Sequence, residues 1–169
     1  MEEIKRRILD IFKEHNIDLS YVPVEYRADI DYPVYWTAKK RICLTANLTP
    51  QRFAWQISHE YVHAYFDSPW EKESDTDWRE EFVAVIIALT VCKELGNDYL
   101  NYALQSNKSI YLTFDAALPA FKNRLDNYSL HPADVYLDNV CLPYLYFLKT
   151  GGENAWEELE EVRQYLQRK

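Results

Sequence analysis

Apolar residues recur at helical spacing in the first fifteen positions, where Ile4, Ile8, Leu9 and Phe12 share one side of an otherwise charged segment. An amphipathic helix is therefore expected over residues 2–15. From Leu19 to Leu44 the rhythm changes to short β-branched and aromatic runs broken by Asp, Pro and Lys. Strands are expected near 20–25, 32–37 and 41–45, the last two closing a hairpin across Ala38-Lys39-Lys40. Thr49-Pro50 then starts a helix that runs to Phe66: threonine suits the N-cap, and proline at the first helical position sacrifices no hydrogen bond. A polar, acidic loop over 67–76 precedes a second helix from Trp78 to Leu95, stopped by Gly96. Its stretch from Phe82 to Val91 is apolar all round, the mark of a central buried helix. Further helices are expected near 97–106, 114–127, 132–149 and 153–168. The pattern predicts an α+β fold, in which a small N-terminal antiparallel sheet packs on a helical core and a helical C-terminal half follows. Residues 1–96 form the core in this reading, and 97–169 an extension packed on it within one compact unit.

Composition narrows the function. The 169 residues include only 3 glycines, two of them adjacent, which argues against a phosphate loop or a dinucleotide fingerprint. A net charge of −8 disfavours nucleic acid as a partner, because affinity there rests on lysines and arginines neutralising phosphates. The one dense basic run, Lys39-Lys40-Arg41, reads as a solvated hairpin turn. Cys43, Cys92 and Cys141 are far apart and odd in number, so buried thiols are expected and no disulfide framework is. The N-terminus is charged and amphipathic, unlike a secretory signal, and no apolar run is long enough to span a bilayer. A cytoplasmic protein without membrane partners is expected.

The chemistry lies in the first long helix, at His59-Glu60-Tyr61-Val62-His63. Residues four apart stand one turn apart on the same helical face, so His59 and His63 can offer two imidazole nitrogens to one zinc ion. Glu60, rotated by one position, can reach a water on that zinc and act as the base. The surrounding Phe53, Ala54, Ile57, Ala64 and Phe66 make the helix a buried one. Polar groups there are costly unless paired or metal-bound. A third ligand is needed, and the nearest carboxylates are Glu80 and Glu81. Asp77 suits the N-cap of the second helix, which places Glu80 at the position that reaches back in a capping box. Glu81 is therefore preferred, with Ala84 and Ala88 nearly on its face to let the two helices approach; Glu80 stays as the alternative. The acidic run Glu71, Glu73, Asp75 and Asp77 reads as a solvated loop, with a second metal site as the alternative. Tyr61, Tyr65, Tyr128 and His131 are candidates for stabilising an oxyanion.

The stretch RICLTANLTPQRFAWQISHEYVHAYF, followed by EEFVAVIIAL, resembles the ImmA/IrrE family of metallopeptidases. The resemblance covers about residues 40–95. It implies His59, His63 and Glu81 as zinc ligands and Glu60 as the catalytic base. It also implies a bacterial or phage endopeptidase of narrow specificity whose protein substrate is a regulator such as a transcriptional repressor. A second function class stays open, a non-catalytic binding or anti-repressor protein that keeps zinc as part of a peptidase-like scaffold. Two positions depart from the family pattern: Val62 stands where glycine is usual, and Phe82 where alanine is expected after the glutamate ligand. The former is expected to tighten the helix or narrow the cleft. Nothing beyond residue 97 is recognisable, and no helix-turn-helix is apparent.

Overall fold

The computed structural model describes residues 1–67, 77–106 and 142–168. Helix α1 (Glu2–Glu14) buries Ile8, Ile11 and Phe12, the stripe its sequence sets out. Asn16 in the left-handed region, with φ of 63°, then turns the chain out of the helix. Three strands follow, β1 (Val24–Arg27), β2 (Val34–Trp36) and β3 (Arg41–Thr45). A short 3-10 turn over Thr37–Lys39 and a left-handed Lys40 join β2 to β3.

The α+β class stands, but the sheet is mixed rather than antiparallel. β2 and β3 form the expected antiparallel hairpin, with Tyr35 opposite Ile42, whereas β1 runs parallel to β3, with Val24 opposite Ile42. The order is β1-β3-β2, so the last strand in sequence is the central one. Composition explains the arrangement. Ile42, Cys43 and Leu44 are at most 1% exposed, a continuous apolar run that belongs between two neighbours. β1 and β2 carry Glu25, Arg27 and Trp36, side chains suited to an edge.

Helix α2 (Pro50–Phe66) begins as its sequence predicts, with the Thr49 hydroxyl accepting from Arg52 N–H at 3.2 Å. It ends at Asp67, whose φ is 48°. The same Asp67 accepts from the Tyr35 hydroxyl at 2.9 Å and pairs with Lys40, which fastens the hairpin to the end of α2. The basic run is thus held locally, since Lys39 sits 3.7 Å over the Trp36 ring and Arg41 pairs with Glu25.

Helix α3 (Trp78–Leu95) is the hub of the described residues. Every residue from Phe82 to Cys92 is buried, and the helix packs against α2, α4 (Asn97–Ser106), α5 (Leu142–Thr150) and α6 (Ala155–Gln167). The α5–α6 turn comes unusually close to it. Gly152 has φ of 84°, and a Cβ there would lie 2.6 Å from Thr90 Oγ1. Trp156 of α6 meets Phe12 of α1 edge-on at 5.2 Å, so one hydrophobic core joins both ends of the described chain. Among the described residues no helix is long and apolar enough to cross a membrane. The helix expected over 114–127, most of that over 132–149, and Cys141 lie outside the described residues; Cys43 and Cys92 are buried free thiols.

Candidate metal centre

Helix α2 delivers Trp55, His59 and His63 on one stripe, four residues apart. The Trp55 and His59 rings lie 6.3 Å apart, and those of His59 and His63 4.9 Å. Opposite them stands the first turn of α3. Its N-cap is Asp77, whose carboxylate accepts from Arg79 N–H at 3.0 Å. Ala84 and Ala88, further along the same helix, are fully buried, and the helix as a whole packs on α2.

The donor atoms converge. His59 Nε2 and His63 Nε2 are 3.1 Å apart, and the Glu81 carboxylate lies 3.4 Å from the first and 3.3 Å from the second. Among the described residues this is the group of histidine and carboxylate donors that could hold a metal ion. Its side chains are partly accessible, Glu81 at 25% and His63 at 13%. Two imidazoles and one carboxylate make a donor set suited to a borderline divalent cation, with room left for a further ligand.

Glu80 is placed differently from its neighbour. Its carboxylate, 1% exposed, meets His63 Nδ1 at 2.8 Å on the side of the ring away from His59 and Glu81. Capping preference alone could not foresee this, because it concerns only the helix on which Glu80 stands.

Glu60 is 4% exposed. Burial raises its pKa, against the opposing charges of His63 and His59, and the Tyr35 backbone N–H of β2 donates to its carboxylate. The edge strand therefore touches the candidate base. The other aromatic candidates are engaged elsewhere. Tyr61 is fully buried, edge-on to Phe12 at 5.8 Å, and the Tyr65 hydroxyl meets Glu160 and Arg163 of α6 at 3.1 and 2.6 Å. His15 stacks on Trp156 at 4.1 Å, while Tyr128 and His131 lie outside the described residues.

A family model for peptidase M78, the IrrE N-terminal-like domain, matches residues 12–112, more than half of the chain. The chain belongs to this family. No curated protein and no solved structure matches it. Membership in the IrrE N-terminal-like family supports a metallopeptidase-like function and, with it, a protein substrate. The two positions that the resemblance sets apart both lie in the core. Val62 is fully buried, and Phe82, also fully buried, packs edge-on to Tyr146 of α5 at 5.4 Å. Val62→Gly should therefore cost about 2–4 kcal/mol, through lost packing and added backbone freedom. Urea unfolding of the metal-free protein measures this, and an unchanged midpoint would contradict it.

Titration ties the cluster together. Burial pushes the His63 pKa down, but the hydrogen bond with Glu80 and the charges of Glu81, Glu60 and Glu80 outweigh it and leave the pKa at about 9. Burial likewise pushes Glu81 up, and the hydrogen bond from His59 with the charges of both histidines brings it down to about 2. In the metal-free protein the His63 contribution to stability is complete below its ordinary 6.5 and is lost as pH rises through about 9. The Glu81 contribution is complete above its ordinary 4.5 and is lost as pH falls toward about 2. A metal ion must displace the His63 proton. Apparent metal affinity should thus rise about tenfold per pH unit from neutrality toward pH ~9, then level off. Competition against a chelator of known pH dependence measures the slope, and a flat profile would contradict a protonated His63.

Proposed function

We propose that this protein is a zinc-dependent endopeptidase of narrow specificity, acting in the cytoplasm on a regulatory protein such as a transcriptional repressor. One observation carries the metal assignment. Donors around a tetrahedral zinc at ~2.0–2.1 Å would stand about 3.3 Å from one another. The three donor separations here are 3.1, 3.3 and 3.4 Å. His59, His63 and Glu81 would hold the ion, and zinc when bound supplies a Lewis acid for peptide hydrolysis.

The remaining chemistry belongs to the chain. Glu60 accepts the proton of the attacking water and passes it to the leaving amine, and its raised pKa suits a group that must hold a proton between the two steps. Among the described residues β2 is an edge strand, and its Tyr35 amide faces Glu60. An extended peptide laid along such an edge would run past the base. The net charge of −8 and the family both favour a protein partner over nucleic acid. Glu60→Gln tests the reading: the variant should retain one zinc per chain and lose peptide cleavage. A fully functional Glu60→Gln variant would instead identify a binding protein that keeps a peptidase-like zinc scaffold.

A further inference from the structure

We infer that Glu80 is a positioning residue for the metal centre: its buried carboxylate fixes the tautomer and the tilt of the His63 ring, so that Nε2 faces the ion. The inference rests on the zinc reading of the His59, His63 and Glu81 cluster and adds a role for the carboxylate next to the proposed ligand.

The geometry constrains the ring from both sides. His63 Nδ1 lies 2.8 Å from Glu80 Oε1, while Nε2 lies 3.1 Å from His59 Nε2 and 3.3 Å from the Glu81 carboxylate. A carboxylate can only accept a hydrogen bond, so Nδ1 must carry the hydrogen. With a metal bound, the ring then has its single lone pair on Nε2, the nitrogen that faces the other donors. Burial strengthens the constraint. Glu80 is 1% exposed, and a carboxylate removed from water holds on to its hydrogen-bond partners, of which the His63 ring is one. Consecutive positions thus divide the work. Successive residues on a helix point about 100° apart, so Glu81 reaches the cluster while Glu80 passes behind the His63 ring. Partners of this kind set ligand orientation and basicity, and their loss typically weakens metal binding about 10–100-fold.

The experiment compares the full-length parent with Glu80→Ala and Glu80→Gln. Zinc affinity is measured by chelator competition, and the His63 tautomer by long-range nitrogen-15 NMR of the zinc-loaded protein. Glu80→Ala should bind zinc about 10–100-fold more weakly. Glu80→Gln has the same shape and an amide oxygen that still accepts from Nδ1–H, so it should recover most of that loss and keep the Nδ1–H tautomer. This rescue separates positioning from simple destabilisation, and it remains readable if the alanine variant fails to fold. The inference is overturned if Glu80→Ala binds zinc within about twofold of the parent. It is equally overturned if folded Glu80→Gln binds more than about tenfold more weakly than the parent, or if it loses the tautomer. Zinc retained by Glu81→Gln but abolished by Glu80→Gln would make Glu80 the ligand itself and overturn it too. A parent protein that takes up no zinc would defeat the underlying reading of the centre, an outcome distinct from each of these.

Discussion

Glu60→Gln should lower the rate of peptide cleavage by about 10²–10⁴-fold while leaving the metal in place. The size of the effect follows from the position of the group. Glu60 is not among the three converging donors, and its carboxylate is 4% exposed beside the Tyr35 amide. An amide of the same shape can fill that space but cannot take a proton. The loss should therefore appear in the chemical step, with zinc stoichiometry and unfolding midpoint close to those of the parent. A proteome-derived peptide library read by mass spectrometry supplies the assay, because it samples many cleavage sequences at once. New termini made by the parent and absent with the variant are the expected result. Equal cleavage by both would remove Glu60 from the mechanism.

His63→Ala should have the largest effect on the metal and a second effect on the fold. It deletes one of three donors, which should weaken zinc binding well beyond the ~10–100-fold expected for an outer partner. It also removes the hydrogen bond between His63 and Glu80, which is 1% exposed. Removing one hydrogen-bond partner of a buried charged group costs about 1.5–3 kcal/mol. The double variant His63→Ala with Glu80→Ala should regain part of that stability while still failing to bind metal. Urea unfolding of the metal-free parent, the two single variants and the double variant measures the coupling, and strictly additive losses would show that the pair does not interact.

The positions legible in the sequence are those set by local geometry. The Thr49-Pro50 start of α2, the Asp77 start of α3 and the four-residue spacing of the histidines all depend on the backbone of a single helix, and each is where the pattern puts it. The buried character of α3 is legible too, because an all-round apolar helix has nowhere else to go. Pairing across the fold is less so. β1 lies parallel to β3 because the most apolar strand takes the centre of the sheet, whereas adjacency in sequence suggests successive hairpins. The role of Glu80 escapes the sequence for a related reason. Capping logic looks along one helix, but its carboxylate is aimed at another by the packing of α3 on α2. The edge-strand amide at Tyr35 has no side-chain signature at all, so no sequence signal could have placed it beside Glu60.

Metal content tests the zinc assignment most directly. Protein purified without added chelator should carry one zinc per chain by elemental analysis. Anomalous diffraction at the zinc edge should place the ion between His59 Nε2, His63 Nε2 and the Glu81 carboxylate. A metal-free protein that takes up no zinc on titration, or an ion bound away from that triangle, would contradict the assignment.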